Sequence, residues 1–347
     1  MTKMHLAIVQ TWGLGDLTMT TPVIAEYKRI FPDSKLTLIV QGKAQAALMV
    51  GSPMVDRIVE MPPRSNRLAY PKFFWSLRRD HIDAAFLGTR IDAWWLPWVL
   101  RFLSGIKTLI GDGQRSRWLY KVHGRVDPTV HRVDRMLETF SSWTGHSPAS
   151  PPTFPLPIAP GLAEANNALG DRGIRRGHFI VIHPGSSVTA GIDKRIPAAV
   201  ARRVADSITH LRPDLSVVFL FGPDEIDYIA QFEQLGERQV VLHGLSLAAT
   251  VSLISECAGF IGSDSGLGHL AAASGISTQT VVGPTLASET APYGIRSRVV
   301  KRAEALACQP CWGTPLYGNC PFDVKCMTEL PERQAIEHAA AWRARDL

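Results

Sequence analysis

Neither a membrane-spanning helix nor a signal peptide is recognisable in this 347-residue chain. The apolar run from Ala84 to Ile110 is interrupted by charged residues, whereas a spanning helix needs about 20 predominantly apolar residues. The first residues, MTKMHLAIVQ, hold only a short apolar run and no small-residue cleavage site. We therefore expect a cytoplasmic protein.

Charged residues are also few. They make up 20% of the chain against 46% hydrophobic residues, a composition typical of a folded protein and not of a mostly disordered one. The net charge of +6 favours an anionic partner, but no nucleic-acid-binding motif accompanies it, so we expect no nucleic acid. The length fits two α/β domains.

The positive charge is concentrated in one part of the chain, and tryptophans are interleaved with it. Two interpretations stay open. This region binds an anionic membrane surface or a phosphorylated acceptor, or it holds ordinary core tryptophans beside solvated basic residues. The basic residues are Arg64, Arg67, Lys72, Arg78, Arg79, Arg90, Arg101, Lys107, Arg115, Arg117, Lys121, Arg125, Arg132 and Arg135, and the tryptophans are Trp75, Trp94, Trp95, Trp98 and Trp118.

The start of the chain has the pattern of a βαβ unit. An apolar strand, His5 to Gln10, leads into a glycine-bearing loop, a helix follows to about Phe31, and a second strand covers Lys35 to Val40. This order predicts a parallel sheet with ligands at the carboxyl ends of its strands.

A second α/β pattern follows a proline-rich segment. Six of the fourteen residues from Ser147 to Pro160 are prolines, which excludes regular structure and predicts an interdomain linker. Two such domains predict a cleft between their strand ends. After the linker we predict strands at His178 to His183, Ser216 to Phe221, Gln239 to Leu242, Gly259 to Gly262 and Thr278 to Val282, and helices at Pro197 to Leu211, Glu225 to Leu235, Ser246 to Cys257 and Leu267 to Ser274.

The most informative stretch is GSDSGLGHLAAA, where a predicted strand delivers the chain to a helix. The free amides and the positive dipole end at a helix N-terminus favour an anion, and Ser265 and Gly266 let a phosphate approach the backbone. His269 is near enough to donate a further hydrogen bond. The alternative is that Asp264 or Ser265 only caps the helix.

Two more loops follow strands in the same way. The loop HPGSS contains Ser186 and Ser187, and Lys194 and Arg195 bring two cations to the start of the next helix. Two phosphate-type loops with two cations suggest a diphosphate ligand. The third loop, FGPDE, ends in Glu225, whose carboxylate would accept hydrogen bonds from ribose hydroxyls, although the helix dipole alone also explains an acid there.

These features together resemble glycosyltransferase family 9, the bacterial heptosyltransferases. The resemblance covers nearly the whole chain, and DSG followed by HLAAA is fairly specific to the family. Because GLGD is not a G-x-G-x-x-G dinucleotide fingerprint, an oxidoreductase is disfavoured. The motifs that carry the resemblance are GLGD at residues 13–16 followed by Thr21-Pro22, then HPGSS, Lys194 to Pro197, FGPDE, DSGLGHLAAA and Gly283-Pro284-Thr285.

The resemblance implies an α/β GT-B fold, with two Rossmann-like domains and a deep interdomain cleft. Residues 1–155 would form the acceptor-binding domain, and residues 156–330 the nucleotide-sugar-binding domain, with a cysteine-rich loop at 308–326. Residues 331–347 would form a C-terminal helix that packs back on the N-terminal domain.

Carried over residue by residue, the resemblance makes Asp16 the general base and Glu225 a ligand of the nucleotide's sugar. Taken by itself, Asp16 would be interpreted as a helix N-cap. Family members often carry a basic residue shortly before the GLGD loop, where this chain has Gln10, Thr11 and Trp12. The donor diphosphate would be bound by Lys194, Asp264, Ser265, Gly266 and His269, with Ser186 and Ser187 also in the donor site.

The implied activity is inverting, metal-independent transfer of heptose from ADP-heptose to a lipopolysaccharide inner-core acceptor, with peripheral contact to the inner membrane. Three alternatives stay open. One is a protein O-heptosyltransferase of the same family, of the kind that modifies autotransporters. The others are a non-catalytic nucleotide-sugar-binding protein and a nucleotide-sugar epimerase of the same architecture.

Four of the five cysteines fall in one loop with the spacing C-x2-C-x8-C-x5-C. Four thiolates this close would ligate zinc or iron tetrahedrally, and structural disulfides are disfavoured in a reducing cytosol. Similar cysteine runs occur in parts of the family, including autotransporter-modifying heptosyltransferases that carry a metal-binding cysteine motif. A structural metal and a set of reduced thiols both stay open for Cys308, Cys311, Cys320 and Cys326, whereas Cys257 is expected in a buried core.

Overall fold

The computed structural model describes residues 4–88, 93–187 and 191–347. The chain divides into two compact units, Met1–Pro157 and Ile158–Leu347. The boundary falls in the proline-rich segment, whose residues 147–158 form neither helix nor strand. Among the described residues, the helices are all too short or too polar to cross a membrane.

The first unit contains six strands and five α-helices among its described residues. They are β1 (His5–Gln10), α1 (Leu14–Ile30), β2 (Lys35–Val40), α2 (Lys43–Met49), β3 (Arg57–Glu60), α3 (Tyr70–Ser76), β4 (Ala84–Leu87), α4 (Trp95–Trp98), β5 (Thr108–Gly111), β6 (Val122–His123) and α5 (Arg132–Thr144). The strands form one parallel sheet in the order β3-β2-β1-β4-β5-β6. A π-helical turn, Val99–Leu103, continues α4.

The second unit repeats this architecture. Its described elements are α6 (Leu162–Gly170), β7 (Phe179–His183), α7 (Ala198–Leu211), β8 (Ser216–Phe221), α8 (Ile226–Ile229), β9 (Gln239–His243), α9 (Leu247–Glu256), β10 (Gly259–Ser263), α10 (Gly266–Ala273), β11 (Thr278–Val281), α11 (Ala287–Thr290), β12 (Ser297–Val300), α12 (Lys325–Thr328) and α13 (Glu332–Ala340). The strands form a parallel sheet in the order β12-β11-β10-β7-β8-β9.

The central strands are buried on both faces, which is why they are apolar throughout and not alternating. Every residue of β7 and β10 is buried. Because all strands of the sheet run in one direction, the loops that follow β10, β7 and β8 emerge side by side at its carboxyl edge. The chain changes direction across the sheet at β7, and ligands bind at such a point in open α/β sheets.

The C-terminal segment belongs to the second unit. Ala335 and Ala339 on α13 are buried in the core that also contains Val204 and Ile208 of α7. Beyond the helix, the ring of Trp342 lies so close to Gly259 that a side chain at that position would collide with it. The apolar face of this helix is therefore buried in the second unit, and packing of residues 331–347 on the N-terminal domain stays a prediction.

Candidate active site

The loops after β10, β7 and β8 are tied to one another at the carboxyl edge of the second sheet. Ser263, at the end of β10, donates a hydrogen bond from its hydroxyl to the carbonyl of Gly185 in the loop after β7. Gly185 in turn lies against Glu225 of the loop after β8, where a Cβ on Gly185 would be 1.9 Å from Glu225 Oε1. A side chain at position 185 would displace the Glu225 carboxylate, and the three loops form one cluster.

Lys194 and Asp264 form a buried ion pair within this cluster. Lys194 Nζ lies 3.2 Å from Asp264 Oδ2, and the two side chains are 9% and 7% exposed. The Thr285 hydroxyl donates to the same carboxylate oxygen at 2.6 Å. Burial by itself would raise the pKa of Asp264, but the Lys194 ammonium, His269 and the Thr285 hydrogen bond together hold that pKa below its usual value. Asp264 is therefore an anion that fixes the ammonium in place.

The N-terminus of α10 is not capped by a side chain. Ser265 occupies the N-cap position with extended backbone, φ −139° and ψ 168°, and makes no capping hydrogen bond. Its Oγ is a buried polar atom without a hydrogen-bond partner in the described part of the chain. The Asp264 carboxylate is engaged by Lys194 and Thr285, so the capping interpretation fails for both residues. The helix amides, beginning at Gly266, and the Ser265 hydroxyl suit an anionic ligand.

His269 belongs to the same group. It lies on α10 one turn after Gly266, its side chain is buried, and it is close enough to Asp264 to lower the pKa of that carboxyl. Lys194, Asp264, Ser265, Gly266 and His269 are thus brought together, as the sequence predicted for a diphosphate site.

The two serines of the HPGSS loop have other partners. The Ser186 hydroxyl is buried and donates to the carbonyl of Gly191 at 2.9 Å, which closes the loop on itself. The Ser187 hydroxyl donates to Asp224 Oδ2 at 3.1 Å. Both residues shape the loop beside the Lys194 pair, and a direct role in ligand binding stays a prediction.

Glu225 lies deeper than a surface ligand would. Its Oε2 accepts a hydrogen bond from the Gly222 amide at 2.7 Å, and His183 Nε2 lies 3.7 Å from its Oε1. The side chain is 3% exposed, so its carboxylate is buried beneath the loops and contacts them from inside the protein. A contact with the nucleotide's sugar stays a prediction for Glu225.

Trp312 is a site residue that sequence reasoning missed. Lys194 Nζ lies over its ring, 5.1 Å from the centroid, in a cation–π arrangement. The amides of Cys311 and Trp312 both donate to the carbonyl of Pro284, at 2.9 and 3.0 Å, next to Thr285. The cysteine-rich loop therefore forms a wall of the Lys194 site. No sequence signal links these residues, because the contact joins distant parts of the chain.

The four loop cysteines lie near one another. Cys311 contacts Pro284 through its amide, and a Cβ on the neighbouring Gly283 would lie 2.8 Å from Cys326 Sγ. Burial and then the other thiols raise the pKa of Cys326 to about 11, and they raise the pKa of Cys311 as well. No group of three or more His, Cys, Asp or Glu side chains in residues 4–88, 93–187 and 191–347 meets the geometry of a formed metal site. Cys257 is fully buried in the core.

In the first unit, Asp16 follows the carboxyl end of β1 and is the third residue of α1. The N-cap of that helix is Gly13, so the N-cap interpretation of Asp16 is wrong. Asp16 Oδ1 lies 3.3 Å from Arg132 Nη1 at the start of α5, and the two side chains are 15% and 8% exposed. The Arg132 guanidinium therefore orients the Asp16 carboxylate, although in the sequence Arg132 is only one of many basic residues.

A basic side chain from a distant part of the sequence, Arg64, lies beside the loop before Asp16. The Arg64 guanidinium lies over the Trp12 ring, 5.1 Å from its centroid, and donates to the carbonyl of Thr11 at 3.1 Å. Gln10, in contrast, points inward and donates to the Thr20 hydroxyl at 3.1 Å. Arg64 therefore places a guanidinium beside this loop, whereas Gln10, Thr11 and Trp12 carry no cation.

Comparison with known proteins shows which family this chain resembles. The model of the family described as glycosyltransferase family 9 (heptosyltransferase) matches residues 72–316. Lipopolysaccharide heptosyltransferase 1 of Pseudomonas aeruginosa is 26% identical over 378 residues, which cover 96% of this chain and 97% of that protein.

Solved structures show the same fold. The E. coli heptosyltransferase WaaC with ADP superposes with a TM-score of 0.71 at 19% identity, over 97% of this chain and 100% of that one. The iron-containing dodecameric heptosyltransferase TibC of enterotoxigenic E. coli, in complex with ADP-D-beta-D-heptose, superposes with a TM-score of 0.56 at 14% identity, over 98% of this chain and 77% of that one. The α/β GT-B fold, with two Rossmann-like sheets, is confirmed.

Proposed function

The chain belongs to glycosyltransferase family 9, and from this premise we propose that it transfers heptose from ADP-heptose to a lipopolysaccharide inner-core acceptor, with inversion at the anomeric carbon. The observation that carries the proposal is the buried Lys194–Asp264 pair beside the uncapped N-terminus of α10. A fixed cation next to free helix amides is suited to a diphosphate. The ADP held by WaaC and the name of the Pseudomonas relative support the same donor and acceptor.

The second unit would serve the leaving group. As the bond between the anomeric carbon and the diphosphate oxygen breaks, negative charge grows on ADP. The Lys194 ammonium and the amides at the start of α10 would stabilise that charge without a metal in the reaction, and the Ser265 hydroxyl would donate a further hydrogen bond. Asp264 and Trp312 hold Lys194 from two sides, so the cation needs little reorganisation during the reaction.

The first unit would serve the nucleophile. An acceptor hydroxyl attacks the anomeric carbon from the face opposite ADP, and its proton passes to Asp16 as the new carbon–oxygen bond forms. General-base catalysis of this kind contributes roughly 10²–10⁴-fold. Arg132 positions the Asp16 carboxylate for this role through their 3.3 Å contact.

The experiment that tests the proposal offers the purified chain ADP-heptose together with a deacylated inner-core oligosaccharide. We expect heptose to appear on the oligosaccharide with release of ADP and with an anomeric configuration opposite to that of the donor, read by NMR. UDP-sugars in place of ADP-heptose should give no product. ADP binding without turnover would indicate a binding protein, and isomerisation of the donor alone would indicate an epimerase; either result rejects the transferase.

A protein acceptor is the second candidate, and the four-cysteine loop favours it. TibC is described as iron-containing, and this chain has four cysteines within one loop. The same assay with a polypeptide acceptor decides between the two. Incorporation into the polypeptide and not into the oligosaccharide would make the protein an O-heptosyltransferase.

We also propose that Cys308, Cys311, Cys320 and Cys326 bind a structural zinc or iron ion. Cys311 and Cys326 both lie against the Gly283-Pro284 segment. Beyond burial, the other three thiols raise the pKa of Cys326, and Cys308 and Cys320 raise that of Cys311. Four thiolates suit either metal, and the ion would cross-link a loop of little regular structure. The bond from the Gly318 amide to Asp193 Oδ2, at 3.0 Å, further connects this loop to the Lys194 turn.

Removing the first two thiols tests the metal site. We expect about one zinc or iron per chain by elemental analysis and almost none in Cys308→Ser/Cys311→Ser. The variant should melt roughly 5 °C lower or more, since metal binding contributes to folding, and its KM for the donor should rise because Trp312 loses its support. The control is Cys257→Ala, which should keep the metal although that thiol is also buried. A wild-type chain without stoichiometric metal after purification under reducing, chelator-free conditions would contradict the proposal.

A further inference from the structure

The tryptophans of the basic region fall into two groups. Trp95 is partly buried against the core of the first unit. Trp75, Trp94 and Trp118, in contrast, are 58%, 55% and 68% exposed. Large indole rings in contact with water are unusual away from interaction sites. Of the two interpretations left open by the sequence, core packing therefore applies to Trp95, and the others require a different explanation.

The exposed rings belong to one continuous surface. Trp98 is 5.0 Å from Trp118 and 5.3 Å from Phe102, measured between ring centroids. The Arg78 guanidinium stacks 4.3 Å from the centroid of the Trp75 ring and donates to the carbonyl of Phe102 at 2.8 Å, which joins Trp75 to the group. Trp94 joins the group through Ser116, whose hydroxyl accepts from the Trp98 indole at 3.1 Å and donates to the Trp94 carbonyl at 3.3 Å. We define the aromatic surface as Trp75, Trp94, Trp98, Phe102 and Trp118.

The surroundings of the aromatic surface are strongly basic. Between residues 93 and 121 the sequence has one acidic residue, Asp112, and it lies within the influence of the Arg132 and Arg135 guanidinium groups. Arg90 lies outside the described residues. The basic side chains in the same interval are Arg101, Lys107, Arg115, Arg117 and Lys121, and all but Arg101 are exposed.

We propose that the aromatic surface docks on an anionic phospholipid bilayer. Indole rings have an apolar body and a polar N–H, so they enter the boundary between headgroups and acyl chains, while basic side chains around them bind the anionic headgroups. A second copy of the chain fits less well, because a two-fold contact through this surface would set one basic region against the other. Among possible occupants, an anionic membrane matches both the exposed rings and the charge.

The position of the surface in the first sheet agrees with a membrane-facing role. Trp94 and Trp98 follow the carboxyl end of β4, Trp118 follows that of β5, and Asp16 follows that of β1. A side chain on Gly88, just after β4, would collide with the Gln10 amide at the end of β1, so these strand ends lie against each other. Trp94, Trp98 and Trp118 thus lie on segments that leave the same edge of the sheet as Asp16, whereas Trp75 and Phe102 lie on segments that lead into β4 and β5. The idea that this edge receives a lipid-linked acceptor rests on the proposed function. Binding of the surface to vesicles does not depend on that function.

The test is flotation of the full chain with vesicles that contain no glycosyl acceptor. In about 0.1 M salt, we expect vesicles with roughly one third phosphatidylglycerol to bind at least ~10-fold more protein than pure phosphatidylcholine vesicles. Trp94→Ser/Phe102→Ser/Trp118→Ser should reduce the partition coefficient ~10-fold or more, because exposed apolar area drives insertion. The matched control, Val50→Ser/Ile295→Ser, removes exposed apolar side chains elsewhere and should bind like wild type.

A second variant separates charge from insertion. Arg115→Gln/Arg117→Gln should weaken binding to the anionic vesicles about tenfold and leave the weak binding to neutral vesicles unchanged. If the serine variant and its control bind equally, or if the serine variant instead abolishes a dimer seen by light scattering, the membrane proposal is wrong. Transfer to a soluble deacylated acceptor should be the same in wild type and the serine variant. If the chain binds vesicles but transfers no sugar, the membrane-binding surface is supported and the proposed transferase function is rejected.

Discussion

Asp16→Asn is expected to lower kcat by roughly 10²–10⁴-fold and to leave the affinity for ADP within about twofold of wild type. The amide has the shape of the carboxylate and can still accept the hydrogen bond from Arg132, so α1 and its surroundings should be preserved. What it cannot do is take a proton from the acceptor. Steady-state transfer kinetics and calorimetric titration with ADP measure the two parts of this prediction.

The matched control is Asp33→Asn, an exposed aspartate in the turn between α1 and β2. It removes one negative charge from the same unit and should leave kcat unchanged. Near-normal turnover of Asp16→Asn would reject Asp16 as the base. A loss of ADP affinity equal to the loss of turnover would mean that the substitution has disturbed more than proton transfer.

Three of the predicted strands match the structure residue by residue, and one predicted helix does not, while β3 to β6 and β12 were not predicted. β1, β2 and β8 begin and end at the predicted residues, because each is an apolar run with a polar residue or glycine beyond its end. The helix predicted from Glu225 to Leu235 is instead a short α8 followed by a 3₁₀ turn, Ala230–Phe232. Ile229, Phe232 and Leu235 are three residues apart, and all pack on the core, which favours the tighter 3₁₀ repeat.

In the candidate site, sequence indicated which loops meet but not which way each side chain turns. A loop after a parallel strand must emerge at the carboxyl edge, so the grouping of Lys194, Asp264 and His269 follows from local patterns. Ser186 and Glu225 sit on the same loops, yet their polar atoms are engaged by the protein itself. That choice depends on packing between loops, which local sequence does not encode.

The contacts that position Asp16 and Lys194 could not be predicted from the sequence, for the same reason. Arg132 and Asp16 are 116 residues apart, and Trp312 reaches Lys194 from the cysteine-rich loop. In the sequence, Arg132 is one basic residue among many. Its specific role appears only once α5 is placed beside α1.

Lys194→Met is expected to have the second large effect, on both stability and donor binding. It leaves the Asp264 carboxylate buried without its ammonium, and breaking a buried pair in this way costs about 3–5 kcal/mol. For a unit of this size, that loss lowers the melting temperature by roughly 10 °C. ADP affinity should also fall, by roughly tenfold or more, because a diphosphate oxygen loses a charge-assisted hydrogen bond. Lys301→Met, at an exposed lysine of the same unit, should change neither quantity.

A double variant and a change of pH separate the loss of stability from the loss of ADP affinity. In wild type the pKa of Asp264 is held low, so its contribution to stability is present above the ordinary carboxyl pKa and is lost as the pH falls through the lowered one. Without Lys194, burial dominates and the pKa of Asp264 should rise, so Lys194→Met should regain stability between pH 7 and pH ~5, where wild type gains none. Lys194→Met/Asp264→Asn should recover most of the stability at pH 7, because neither member of the buried pair is charged any longer, yet it should bind ADP no better than the single variant. Recovery of ADP affinity in the double variant would show that Lys194 supports the fold and does not bind the donor.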